Sequence, residues 1–162
     1  MKESTNKTNV MRALDKAGIP YTPMTYEVDE DNLAGTHIAE EIGLPGEIVF
    51  KTLVARGDKK GLAVFCIPAP ASLDLKEAAR LTGNKKIEMV PVKELLGLVG
   101  YIRGACSPIG MKKKFPTFID ETCLLHEKIT ISAGIRGIQL LLAPKDLIAV
   151  VDAQTAPLTQ TL

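Results

Sequence analysis

The chain has 162 residues, 46% of them apolar, and 20 basic against 19 acidic side chains for a net charge of +1. That size supports one domain over 1–162 with a real core, and the near-neutral balance excludes partner binding driven by bulk charge. No run approaches the roughly 20 apolar residues of a spanning helix, and the residues after Met1 are polar where a secretory leader would be apolar, so a cytoplasmic protein with no membrane or DNA partner is expected.

Val10, Leu14 and Ala17 recur at helical spacing over 9–17, and Gly18-Ile19-Pro20 stops that helix and opens an extended segment through Tyr26 and Val28. Thr36 is placed to cap a short helix over 37–42, which Gly43 and Pro45 end. The run at 48–55 then reads as a buried strand, and Gly57-Asp58-Lys59-Lys60-Gly61 links it as a hairpin to a second strand over 62–67. Asp74 and Glu77 have capping-box spacing and open a helix ended by Gly83; a short strand follows over 87–90 and a brief helix over 92–96. Gly97, Gly100, Gly104 and Gly110 mark a flexible region, after which 118–119, 129–131 and 138–142 read as strands and Pro144 starts a last helix through 150. Helices interrupt the strands irregularly, which favours an α+β fold with a mixed, curled sheet flanked by helices over a regular β-α repeat.

Lys51 stands out because it interrupts the first long strand. Alternation puts it on one face with Val49, Leu53 and Ala55, opposite Phe50, Thr52 and Val54, and neither face reads as solvated. A buried ammonium needs a carboxylate, loses its proton or lines a pocket that takes a polar ligand. An edge-strand lysine reaching water is the ordinary alternative.

Two loops can carry chemistry. In 100–110 small residues let backbone amides approach a ligand and stabilise an oxyanion, and Pro108 restricts Ser107 and pre-shapes the turn; a structural glycine turn explains the same residues. In 131–137 a strand ends in two glycines around Arg136, where Ser132 is placed for a polar group and Arg136 for a phosphate or an acid, or for ordinary surface charge. Cys66, Cys106 and Cys123 are odd in number and lack a C-x-x-C pair, and the two histidines are unclustered, so no disulfide framework, metal site or histidine-based hydrolase is expected. No nucleotide-binding fingerprint is present and no cofactor is expected. Lys112-Lys113-Lys114 and Lys85-Lys86 are local positive clusters able to meet phosphates or simply to face water, while Lys59-Lys60 decorates the hairpin tip.

Tyr26, Phe50-Lys51-Thr52, Gly104-Ala105-Cys106-Ser107-Pro108 and Ser132-Ala133-Gly134-Ile135-Arg136-Gly137 together resemble the YbaK-type aminoacyl-tRNA deacylases, relatives of the editing domain inserted in bacterial prolyl-tRNA synthetases. The likeness covers nearly the whole chain and implies a compact, barrel-like α+β fold that clears mischarged tRNA in trans, cysteinyl-tRNA(Pro) first. It implies Lys51 and Gly104 as catalytic positions, Tyr26, Thr52, Ser107, Pro108, Ser132 and Arg136 as the substrate pocket, and Lys112, Lys113 and Lys114 as tRNA contacts. Aminoacylated tRNA is the implied substrate and prolyl-tRNA synthetase the candidate partner. Ala105-Cys106 and Ile135 depart from the family pattern and bear on pocket size and RNA contact. A deacylase for alanyl- or seryl-tRNA and a non-catalytic tRNA-binding module are the alternatives.

Overall fold

Thr8 starts the first element: its Oγ1 accepts from the Met11 N–H at 3.2 Å, and α1 (Asn9–Ala17) runs to Gly18, whose φ of 72° closes the helix. The protein is seen here as a computed structural model that describes residues 6–160, so the opening residues used to argue against a leader lie outside the described residues. Val10 and Leu14 are fully buried, each stabilising the fold by about 1.5–3 kcal/mol. Packing therefore holds a helix of 9 residues that would be marginal alone.

The chain continues through β1 (Thr22–Thr25), α2 (Gly35–Ile42), β2 (Phe50–Gly57), β3 (Gly61–Pro68), α3 (Leu75–Thr82), β4 (Ile87–Met89), α4 (Val92–Val99), β5 (Thr117–Asp120), β6 (Ile129–Ser132), β7 (Ile138–Leu142), α5 (Pro144–Val151) and β8 (Gln154–Ala156). These strands form two sheets, a mixed one ordered β4-β2-β3-β5-β8 and an antiparallel one ordered β1-β7-β6. The α+β class holds, but the expected single curled, barrel-like sheet does not close. The sheets meet at a parallel bridge between Val49 and Thr130, whereas β2 reaches β4 only from Ala55 onward. Between those points the two sheets part, and no strand of the described residues pairs with that edge of β2.

Both faces of β2 are covered, as the apolar run required. Phe50 and Val54 pack with Leu14, Ile131 and Leu140, while Ala55 packs with Phe65, Ile67 and Ala78 under α3. Phe65 and Phe118 stack across β3 and β5 with ring centres 5.5 Å apart, a favourable aromatic spacing.

Several boundaries differ from the sequence expectation. Thr36 does not cap α2: the helix starts at Gly35 with Ala34 before it and no side-chain cap. The extended segment ends at Thr25 rather than Val28, and Gly46–Ile48 forms a 3-10 turn before β2 begins at Phe50. Asp74 accepts from the Glu77 N–H at 3.2 Å, but Glu77 turns to Arg80 instead of returning to Asp74, so only half of the capping box forms. Gly97 lies inside α4, which extends to Val99 and stops at Gly100 with φ 93°. The 3-10 helix Glu121–Leu125 and β8 have too few residues for a periodic signal; they exist because Asp120 caps the former and β5 offers a partner edge to the latter.

Candidate active site

Lys51 opens the site. Its Nζ donates to the Ala69 carbonyl oxygen at 2.9 Å, and it has no carboxylate partner among the described residues. Burial lowers its pKa below the usual lysine value, the expected penalty for a cation held out of water without a counterion. The ammonium stands in a cavity of about 350 Å³ where the two sheets part, walled by β2, the start of α2, the end of β4, and the loop at 103–106. Lys51 is half-buried, so it is not the fully solvated lysine that the edge-strand alternative describes.

The opposite wall is the glycine loop, which is anchored rather than flexible. Gly104 has φ 86°, and a Cβ there would lie 3.3 Å from Arg136 Nε and 3.4 Å from Leu33 Cδ2, so glycine is needed both for its backbone and for its neighbours. Arg136 Nε donates to the Arg103 carbonyl at 2.9 Å, and Ser132 Oγ donates to the Ala105 carbonyl at 2.8 Å while accepting from the Gly134 N–H at 3.1 Å. Tyr101 Oη donates to the Ile109 carbonyl and accepts from Asn9 Nδ2 at 3.0 Å, fixing the far end of the loop to α1. The Gly104 and Cys106 N–H groups find no acceptor among the described residues, and both residues line the cavity. Two uncommitted amides, in residues that line the same cavity as a half-buried ammonium, are donors of the kind that stabilise a developing oxyanion.

Neither Cys106 nor Cys66 is an activated nucleophile. Cys106 lines the cavity, but burial pushes its thiol up to about 12, far from the thiolate range at neutral pH. Cys66 lies behind Thr52, whose hydroxyl contacts its sulfur at 3.7 Å, and burial pushes that thiol up to about 12 as well. Among the described residues no group of histidine, cysteine or carboxylate side chains could hold a metal ion.

The structure brings Lys51, Thr52, Gly104 and Ser132 to one cavity. Tyr26, Ser107, Pro108 and Arg136 stand outside its lining. Tyr26 pairs its N–H with the Gly137 carbonyl at 2.9 Å beside the second loop. Ser107 is fully buried and its Oγ accepts from the Ile109 N–H at 3.3 Å, while Pro108 faces a separate hollow with Lys113 and Lys114. Arg136 holds the loop rather than reaching the cavity. Of the three consecutive lysines, Lys112 donates to the Gly97 carbonyl at 3.1 Å and Lys114 pairs with Asp152 at 2.9 Å. Ile135, the departure in the second loop, is exposed and stands away from the cavity.

The 33–36 wall, Arg103 and Gln139 are not among the pocket residues expected from sequence, where Thr36 reads as a helix cap and Arg103 as a cation upstream of Lys112. Arg103 had a signal, a cation directly before Gly104 in the glycine loop. Gln139 had none, because it reads as an unremarkable strand residue; only the β6–β7 pairing shows it buried beside the cavity with Oε1 accepting from Thr130 Oγ1 at 3.0 Å.

Residues 35–150 match the family described as the aminoacyl-tRNA editing domain. A protein of Enterococcus faecalis named "Putative Cys-tRNA(Pro)/Cys-tRNA(Cys) deacylase EbsC" is 43% identical over 158 residues, 98% of this chain and 96% of its own. A solved structure described as a "putative trans-editing enzyme for prolyl tRNA synthetase" superposes with a TM-score of 0.80 at 26% identity, covering 94% of this chain and 95% of that one. The structure of "hypothetical protein APE2540" superposes with a TM-score of 0.84 at 18% identity over 93% of this chain and 99% of that one, which shows the shared fold.

Proposed function

The chain belongs to the aminoacyl-tRNA editing domain family and is an aminoacyl-tRNA deacylase, and on that premise we propose that its substrate is tRNA(Pro) mischarged with cysteine, cleared in trans. The observation that carries the assignment is a half-buried Lys51, without a carboxylate partner among the described residues, in one cavity with Gly104 and Cys106. The N–H groups of those two residues have no acceptor among the described residues, and the one thiol of the cavity, that of Cys106, is held protonated by burial. An aminoacyl ester is already activated, so positioning and charge stabilisation are enough to break it.

In this reading the ester carbonyl lies between Lys51 and the glycine loop, with Thr52 and Ser132 in the pocket. The thiol of the bound cysteinyl group attacks its own carbonyl: a sulfur–carbon bond forms, and the negative charge builds on the carbonyl oxygen toward the ammonium and the amides. Collapse breaks the ester carbon–oxygen bond, and the thiol proton ends on the released tRNA hydroxyl, leaving a cyclic thioester that water opens. Ser107, Pro108 and Arg136 act by shaping and holding the loop, and Tyr26 by bracing the second loop that carries Arg136. Lys112, Lys113 and Lys114 contact the tRNA backbone, Lys113 most directly because its neighbours are engaged. Prolyl-tRNA synthetase is the proposed partner, supported by the neighbour described as trans-editing for that enzyme. No helix among the described residues is long and apolar enough to cross a membrane, and the reading places the protein in the cytoplasm with its tRNA.

The experiment is single-turnover deacylation of tRNAs charged with cysteine, alanine, serine and proline. Fast loss of cysteine alone, with a transient cyclic thioester, is the expected result. Preference for alanine or serine would replace the substrate and the thiol mechanism together, and inertness toward every member would leave a tRNA-binding module.

A further inference from the structure

A second surface bears on how the substrate is held. Arg56, Asp58, Lys76, Lys85, Lys86 and Glu88 line an open groove of about 740 Å³ at the end of the β2–β3 hairpin. Arg56 is committed to Glu94 at 2.8 Å, but Lys76, Lys85 and Lys86 enter no ion pair among the described residues, and all three are exposed. Asp58 and Glu88 stand in the same groove as anions, Asp58 held ionised because its Oδ1 accepts from the Lys85 and Lys86 N–H groups at 3.1 and 3.3 Å, so three unpaired lysines face two carboxylates and the groove keeps a net positive charge.

The lysines stand on a braced platform. While Asp58 ties the loop after α3, the buried Asn84 of that loop ties the hairpin in return, its Oδ1 accepting from the Lys59 and Lys60 N–H groups at 3.0 and 2.8 Å. Asn84 fits because Gly57 has no side chain: a Cβ there would fall 2.1 Å from Asn84 Nδ2. Reciprocal bonds between two loops fix the backbone under Lys59, Lys60, Lys85 and Lys86, so a ligand has only the side chains to order and not the loops that carry them.

The groove adjoins the reaction cavity along β4, although no residue lines both. Ile87 and Glu88 line the groove, and Met89 and Val90 line the cavity, so both open on consecutive residues of one strand, about 7 Å from Ile87 to Met89. We propose that this braced lysine groove binds phosphates of the same RNA whose aminoacylated 3′ end occupies the Lys51 cavity. A polyanion entering the cavity over Met89 has its preceding phosphates beside Lys85 and Lys86. The inference rests on the tRNA reading above and adds to it a second electrostatic contact, next to the part of the cavity lined by Met89 and Val90.

The test is the double variant Lys85→Ala/Lys86→Ala, whose exposed side chains leave the Asp58 bonds to the backbone intact. Binding to charged tRNA and kcat/KM are measured across a salt series, beside cleavage of a cysteinyl-adenosine ester that lacks the preceding phosphates. If each lysine meets one phosphate, the slope of log affinity against log salt falls by about 1.4 to 1.8, which is roughly 7- to 12-fold over a fourfold rise in salt. KM for tRNA rises, kcat holds, and the adenosine ester is cleaved as by the wild type. A wild-type slope in the double variant overturns the groove and makes these lysines a solvated face. A wild-type protein that cleaves no charged tRNA overturns the deacylase reading itself, so the two failures are distinct.

Discussion

Ala69 is bonded to Val49 and Lys51 through its two backbone polar groups: its N–H donates to the Val49 carbonyl just before β2 at 2.8 Å and its carbonyl accepts from Lys51 Nζ at 2.9 Å. The residue at the end of β3 therefore sets both the strand register and the position of the ammonium. The charge that seemed misplaced in an apolar strand is held by a neutral oxygen, which orients the cation without cancelling it.

Lys51→Ala is expected to lower single-turnover deacylation by roughly 100-fold or more, the usual loss when one oxyanion-stabilising group is removed. Stability should be equal or higher. Burial depresses the folded-state pKa of Lys51, so the unfolded chain binds that proton more tightly and the charged lysine opposes folding at neutral pH. A melting curve alongside the rate measurement separates the two effects, and a near-native rate would return Lys51 to a structural role.

The same depression sets the alkaline limb of activity. With the uncatalysed ester loss subtracted, kcat/KM should fall with an apparent pKa below the ordinary lysine value of 10.5. Lys51→Arg keeps the cation and should move that limb upward while lowering the plateau, because the planar guanidinium does not reproduce the bond to Ala69. A limb unmoved by arginine would assign the titration to another group.

Gly35→Ala tests the support of the ammonium. A Cβ at Gly35 would lie 2.9 Å from the Ala69 Cβ, so Ala69 must shift and carry the Lys51 acceptor with it. Gly35 is the first residue of α2, where the helix-interior advantage of alanine over glycine is largely absent, so the clash is not offset by propensity. The expected outcome is a modestly lower melting temperature with kcat reduced roughly tenfold, a misplacement effect. Full activity would show that the cation tolerates movement.

Cys106→Ser should retain most of the activity, since the attacking thiol belongs to the substrate. It should also soften alkaline unfolding. The Cys106 pKa is raised from 9.0 to about 12, so its contribution is fully present below about 9 and is lost as pH rises toward 12. Thermal melts at pH 8 and pH 10.5 should show a smaller drop for the variant. A trapped acyl-enzyme on Cys106 would overturn the mechanism.

Replacing Lys112, Lys113 and Lys114 together by alanine should weaken binding of all tRNAs and flatten its salt dependence without reordering the aminoacyl groups. The change in slope should stay below three full phosphate contacts, because Lys112 and Lys114 already hold Gly97 and Asp152. An unchanged slope would sink this contact.

Local rules were enough for much of the molecule. Helical spacing and glycine stops placed α1 and the end of α3, the short loop at 57–61 dictated the β2–β3 hairpin, and strand alternation marked Lys51 as a charge with nowhere to go. Those signals depend on neighbours within a few residues, and they survive in the fold. The cavity does not come from local rules. It exists because β2 bridges β6 at Val49 and meets β4 only at Ala55, a divergence between strands about 80 and 30 residues away in the chain. That divergence recruits the 33–36 wall and Gln139, which carry no motif, and it makes Ser132 and Arg136 anchors of the glycine loop by hydrogen bonds of 2.8 and 2.9 Å. Sequence alternation left Lys51 open between an edge lysine reaching water and a charge that meets a carboxylate, loses its proton or lines a pocket. That choice depends on what long-range packing brings to its end, and packing brought the Ala69 carbonyl oxygen and a cavity shared with Gly104 and Cys106.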